Sequence, residues 1–97
     1  MPGDNDSTKT VGTALVTLYT RRGCCLCDDA KRVLADARRR AEFDYRELDI
    51  DTDPELLRLY NDEAPVITID GSKAFKYRVS LAEFLKKLAA RQARLRA

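Results

Sequence analysis

Apolar residues along this chain recur with a period that changes several times, and each change marks an element. The first twelve residues are polar, contain Pro2, Gly3 and Gly12 and show no periodicity, so residues 1–12 read as a disordered arm and 13–97 as the folded domain. "TALVTLY" (Thr13 to Tyr19) is nearly continuous in apolar or β-favouring residues. That is the pattern of a strand covered on both faces, in the middle of a partly parallel sheet. From Leu26 the period becomes about 3.6 residues, with Leu26, Ala30, Val33, Leu34, Ala37 and Ala41 on one stripe and charged residues on the other face, as in an amphipathic helix. Acids in its first turns and arginines in its last suit the helix dipole, and Asp28 with Arg32 and Asp36 with Arg40 have the spacing of favourable ion pairs.

"FDYRELDI" (Phe43 to Ile50) predicts a second strand, although its alternation slips phase between Tyr45 and Leu48. Asp53 followed by Pro54 is an N-cap with proline at the first helical position, and it opens a short helix carrying Leu56, Leu57, Leu59 and Tyr60. After Pro65, "VITID" and "KAFKY" flank Asp70-Gly71, a dipeptide whose two residues tolerate the positive φ of a tight hairpin, so these strands are antiparallel. Ser80 and Glu83 form a capping box, Val79 and Phe84 occupy the staple positions, and Leu81, Phe84, Leu85, Leu88, Gln92 and Leu95 mark one face of a terminal helix. The order βαβαββα predicts an α/β fold, a mixed four-stranded sheet flanked by helices.

Composition narrows the class. A chain of 97 residues, 44% hydrophobic, can build one domain around one core. No segment approaches the length of a membrane-spanning helix, "MPGDNDSTKT" has no apolar run and the cysteine count of three is odd, so the expectation is a soluble, cytoplasmic protein without membrane contact. In a reducing compartment closely spaced cysteines serve catalysis or metal binding rather than stapling. The net charge of +2 conceals blocks of opposite sign: Lys and Arg against Asp and Glu stand at seven to three over 21–40, two to nine over 42–63 and eight to two over 70–97. Such blocks describe solvated helix faces that can steer a charged partner. Nucleic acid is not expected, since the aromatics do not interleave with the basic residues as a stacking platform requires.

The candidate chemistry lies in "GCCLCDDAKRVL" (residues 23 to 34), where three cysteines run into the first helix. A closed zinc site needs about four Cys, His or carboxylate ligands. The chain has no histidine and Cys25 crowds its neighbours in sequence, so no metal site is predicted within one chain. Cys24 falls at the junction of the buried strand and the helix start, with Cys27 one helical turn on. Unpaired amides and the positive end of the helix dipole favour thiolate at Cys24, and Arg21 and Arg22 add to that while Asp28 and Asp29 oppose it. Cys24 is therefore the expected nucleophile, and Cys27 the thiol that resolves its mixed disulfides. This chemistry needs no histidine, unlike a cysteine protease. Asp49, Asp51 and Asp53 read as loop turn and N-cap, since no glycine and glutamate follow to complete a calcium loop.

"LVTLYTRRGCCLC", the βαβαββα order and "EAPVITIDG" together resemble the thioredoxin superfamily, most closely its glutaredoxin-like members, over roughly residues 13 to 90. The resemblance implies a cis Pro65 packed beside the redox pair, and Ala64 and Val66 flanking it, with the Ala64 backbone offered to a bound peptide or glutathione. It implies that Arg21 holds a carboxylate, and that Ser80 at a helix start is a candidate anion contact. The chain departs from glutaredoxins in having "KYRVS" where they carry a glycine pair, and Cys25-Leu26 inside the motif. These departures predict weak binding of glutathione. The activity implied is thiol–disulfide oxidoreduction by a monomer on protein or glutathione disulfides, with no covalently bound cofactor and glutathione as candidate reductant. The alternatives are a non-catalytic adaptor of the same fold, or an iron–sulfur carrier using Cys24 and glutathione in a dimer.

Overall fold

A computed structural model describes residues 13–96, so the arm expected over 1–12 lies outside the described residues, as does the side chain of Leu95. Strand β1 (Leu15–Thr20) leads into helix α1 (Cys25–Arg38), strand β2 (Asp44–Asp49), a 3-10 turn (Ile50–Thr52) and helix α2 (Pro54–Tyr60). Strands β3 (Val66–Ile69) and β4 (Ser72–Lys76) and helix α3 (Leu81–Arg96) complete the predicted order. The sheet runs β2-β1-β3-β4. β1 pairs in parallel with β2 and antiparallel with β3, and β3 pairs antiparallel with β4. This is the mixed four-stranded sheet read from the sequence.

Burial follows strand alternation. Val16 and Leu18 of β1, with their partners Ile69 and Ile67 of β3, join Ala30, Leu34 and Ala37 of α1 and Phe84 and Leu88 of α3 in the main core. Each fully buried Leu, Ile or Phe contributes about 1.5–3 kcal/mol relative to exposure. The other face of β1 and β3 is also buried but more polar: Thr17 and Thr68 lie there, Thr17 Oγ1 accepts from Arg46 Nε at 3.1 Å, and Tyr19 stacks against Tyr60 of α2 with ring centres 4.7 Å apart. Helix α2 has no buried residue, so it covers this face thinly.

The phase slip in β2 has a physical origin. Tyr45 points toward α1, where Arg38 stands 5.5 Å from its ring centre, and alternation places Leu48 on the opposite face. An edge strand paired on one side only needs no single apolar face. In α1, Arg32 pairs with Asp29 rather than with the Asp28 suggested by spacing, while Asp36 is met by both Arg39 and Arg40. Asp49 caps the 3-10 turn by accepting from the Asp51 amide, and Asp53 caps α2 by accepting from the Glu55 amide, as expected. Ser80 caps α3, its Oγ accepting from the Glu83 amide at 3.2 Å.

The Asp70-Gly71 hairpin has φ of 53° and 85°, the positive pair its sequence predicts. Asp70 does more than turn the chain. Its Oδ1 accepts from the Leu15 amide at 2.9 Å and its Oδ2 from Arg91 Nε at 2.9 Å, tying the start of β1 to α3. Asp70→Ala removes both bonds and the side chain best suited to this φ, so urea unfolding should show a loss of about 2 kcal/mol. Asp70→Asn keeps an oxygen for Leu15 and tolerates the same φ, and should lose less than half as much.

Candidate functional site

The site begins where β1 runs out of sheet. Arg21 to Gly23 turn the chain, Gly23 at φ 73°, and Cys24 takes the N-cap position of α1 with extended backbone at φ −99° and ψ 113°. Its Sγ accepts from the Cys27 amide at 3.3 Å, the bond a serine or aspartate oxygen makes at other helix starts. The Asp28 amide closes the first turn on the Cys24 carbonyl at 3.2 Å. Cys24 is half-buried, Cys25 is exposed, and Cys27 is 1% exposed beneath them. All three thiols are free.

Burial pushes the Cys27 thiol up from its ordinary value, and its hydrogen bond with the Cys24 sulfur pushes the same way. The Thr20 hydroxyl and the Arg21 backbone pull more weakly downward. Thr20 Oγ1 is buried and finds no partner of full hydrogen-bond geometry, so its contact with this sulfur is loose. Thr20 is thus a site residue that reading the strand as ending at Tyr19 left out; a polar residue following an apolar run and preceding the cysteine turn was the available signal.

The register between β1 and β3 brings in the second segment. Tyr19 stands opposite Val66, so continuing the ladder sets Pro65 across from Thr20 and Ala64 across from Arg21, beside the cysteine turn. The Ala64-Pro65 bond is cis, Pro65 is buried, and its carbonyl accepts from the Tyr77 amide at 2.9 Å.

Arg21 is already engaged. Its guanidinium meets both oxygens of Asp51, at 3.0 and 3.3 Å, and Asn61 Oδ1 at 2.9 Å, bridging the turn to the 3-10 segment and to the end of α2. A substrate carboxylate at Arg21 has to compete with Asp51. Ser80 lines a different depression, a groove of about 480 Å³ between α1 and the start of α3 walled by Leu26, Ala30, Tyr77 and Val79. The two anion contacts drawn from the family resemblance therefore face separate surfaces.

Tyr77 is the least ordinary residue of the site. It has φ of 68°, and the Arg78 amide donates to the Lys76 carbonyl at 2.8 Å across it, which makes Tyr77 the apex of a γ-turn of the strained, positive-φ kind. Holding an aromatic residue there costs about 1–3 kcal/mol. Its hydroxyl donates to the Asp62 carbonyl at 2.8 Å. The sequence showed a tyrosine after β4, but not this conformation.

Sheet order, the helix-capping cysteine and the cis proline beside it define a thioredoxin-type fold. The family described as Glutaredoxin-like domain (DUF836) matches residues 15–89, and the chain belongs to that family within the thioredoxin superfamily. A crystal structure of the target protein XcR50 from X. campestris is 31% identical, with 77% of this chain and 96% of that one aligned at a TM-score of 0.65. Protein Ne2328 from Nitrosomonas europaea is 22% identical over 90% of this chain and 98% of its own, with a TM-score of 0.68. Chloroplastic thioredoxin z, at 17% identity, aligns 84% of this chain with 80% of its own at a TM-score of 0.70. The last two show likeness of fold. No curated protein matches the chain significantly.

Because its folded pKa is raised above the ordinary 9.0, the Cys27 proton is held more tightly by the folded state. Its contribution to stability is complete below the unfolded pKa and is lost as pH rises through the folded one. Cys27→Ala should therefore flatten the alkaline decline. Urea unfolding of both reduced proteins between about pH 8 and 11 should show their stability curves converging as pH rises.

Proposed function

We propose that this protein is a small thiol–disulfide oxidoreductase in which Cys24 is the nucleophile and Cys27 the resolving thiol. The observation that carries the reading is the sulfur pair at the start of α1: Cys24 Sγ accepts the Cys27 amide at 3.3 Å, and Cys27 is buried one turn on. The Cys27 amide at the positive end of the helix donates to this sulfur. The solvent-accessible sulfur meets substrate first, and the shielded one is kept from side reactions until it is needed.

In the forward direction the Cys24 thiolate attacks one sulfur of a substrate disulfide. The S–S bond breaks, the leaving thiolate takes a proton from water, and a mixed disulfide joins Cys24 to the substrate. The Cys27 thiol then gives up its proton and attacks Cys24 Sγ, releasing the second substrate thiolate. Two electrons pass to the substrate and a Cys24–Cys27 disulfide remains. A thiol reductant, glutathione or a dithiol reductase, restores the pair. The Ala64 backbone is the proposed docking edge for the substrate backbone, with Pro65 and Val66 holding it in place from within the sheet. The proposed setting is the cytoplasm, where such a reductant is abundant, and the protein acts there as a monomer.

Cys24→Ser should bring reduction of an insulin-type or low-molecular-weight disulfide to the uncatalysed background, while Cys27→Ser should accumulate mixed disulfides visible by mass spectrometry. Full activity of Cys24→Ser would remove the assignment of nucleophile.

Glutathione should bind at roughly millimolar Kd, about 4 kcal/mol, because Asp51 competes for Arg21. Asp51→Ala removes the competing carboxylate and leaves the guanidinium with Asn61. An NMR titration should then show tightening of about threefold to tenfold, whereas Arg21→Ala should weaken binding below wild type.

A further inference from the structure

Strand alternation puts Val16, Leu18 and Thr20 in one buried row on the face of β1 that meets α1. On α1 the buried stripe turned toward that row is Cys27, Ala30, Leu34 and Ala37. Because α1 starts close to where β1 ends, Thr20, last in its row, meets Cys27, first in its stripe. Thr20 is 8% exposed and its Oγ1 is buried, yet among the described residues that oxygen has no hydrogen-bond partner of full geometry. The hydroxyl of Thr17, buried on the opposite face, does have one in Arg46. Valine has the shape of threonine and would fill position 20 without a buried hydroxyl to satisfy. The Thr20 hydroxyl is thus a spare donor set against the sulfur that the resolving step must ionise.

We propose that Thr20 is a further catalytic residue, whose hydroxyl donates a hydrogen bond to Cys27 Sγ as that sulfur becomes a thiolate and attacks the mixed disulfide on Cys24. The inference rests on the oxidoreductase reading and deepens it, by assigning what stabilises the charge in the resolving step. In that step the Cys27 S–H proton passes to water, and the Cys27–Cys24 bond forms as the bond from Cys24 to the substrate breaks. The substrate sulfur leaves with the electron pair and takes a proton from water, so Cys27 is oxidised and the departing sulfur reduced. Negative charge therefore develops on a sulfur that is 1% exposed. The groups acting on that sulfur are Cys24, the Thr20 hydroxyl and the Arg21 backbone, with no carboxylate, ammonium or guanidinium among them. Burial and the Cys24 sulfur hold the proton on, whereas the hydroxyl and the backbone favour its loss. With Cys24 tied up in a mixed disulfide, Thr20 and the Arg21 backbone are what remains to meet the charge. A hydroxyl rotates about its C–O bond, so a loose contact in the reduced protein can tighten during the step without any backbone movement.

The test mixes reduced protein carrying Cys25→Ser with an equimolar amount of dithiobis(nitrobenzoate). The first burst of thionitrobenzoate reports the mixed disulfide on Cys24, and the second reports its resolution by Cys27. Thr20→Val should slow the second burst about tenfold relative to the first and move its pH profile upward, and Thr20→Ser should keep it within about twofold of the parent. Urea unfolding of reduced Thr20→Val should show stability equal to or above the parent, which loss of a merely structural hydroxyl bond would not give. A second burst of unchanged rate in Thr20→Val, or one equally slow in Thr20→Ser, would overturn the inference while leaving the redox reading intact. Dispersed amide NMR spectra check that each variant folds, and if Thr20→Val does not, Thr20→Ala is compared in its place. A second measurement is independent of turnover. With Cys24→Ser and Cys25→Ser, Cys27 is the one cysteine left of three, and NMR of its labelled Cβ follows its titration. Adding Thr20→Val should raise the midpoint by about one pH unit, and an unmoved midpoint would overturn the contact itself. Absence of the second burst in the parent would instead remove Cys27 as resolving thiol, and the dithiol reading would fall together with the role given to Thr20.

Discussion

Strand β1 must be satisfied on both edges and buried on both faces, and the rest of the molecule is arranged around that demand. Its parallel partner β2 runs the same way, so the chain has to return across the sheet before β2 can begin, and α1 makes that crossing. The helix therefore starts close to the end of β1. Its first-turn amides fall where the chain emerges from the sheet, and Cys24 is placed to receive one of them, that of Cys27. The position of this cysteine follows from how a parallel pair must be connected. The antiparallel partner β3 fills the other edge, and its register delivers Pro65 to the same end of the sheet.

The two faces of the sheet are built differently. Toward α1 and α3 the core is aliphatic and aromatic, with Phe43, Phe75 and Phe84 in contact and no charged group within the buried set. Toward α2 the buried positions include Thr17 and Thr68, and much of the order comes from polar contacts such as Arg46 with Thr17 and Arg21 with Asp51 and Asn61. Hydrogen bonds of this sort add about 1 kcal/mol each and less when exposed, so the α2 side is held less firmly than the α1–α3 side. The cysteine turn lies between these two environments. Cys27 takes the buried character of one, and Arg21, three residues before Cys24, takes the polar character of the other.

Tyr77 illustrates how a strained backbone and an exposed aromatic ring can coexist at a site margin. Neither feature favours folding alone. Three hydrogen bonds hold the conformation, and one of them uses the carbonyl of the cis proline itself, so the groove wall and the cis-proline segment share a support.

Local chemistry made much of this protein legible in its sequence. The uniform apolar run of β1, the helical stripe from Leu26, the Asp53-Pro54 start, the Asp70-Gly71 turn and the Ser80 cap each act over a few residues, and each element formed where those signals stood. The cysteine pair was legible for the same reason, since a strand end and a helix start adjoin in the chain. Tertiary structure decided what depends on residues far apart. The family resemblance offered Arg21 as a carboxylate contact, and the fold brings Asp51 and Asn61, thirty and forty residues away, to the same guanidinium. Asp70 was read as a turn residue, but Leu15 and Arg91 make it a clamp. Tyr77 was read within the strand "KAFKY", but it lies just past β4, where the Pro65 and Asp62 carbonyls hold it in a conformation its own preferences oppose. Propensities and caps are settled by neighbours in sequence, whereas the partner of a charge, the donor to a carbonyl and the sign of a strained φ are settled by whichever groups the folded sheet brings within about 3 Å.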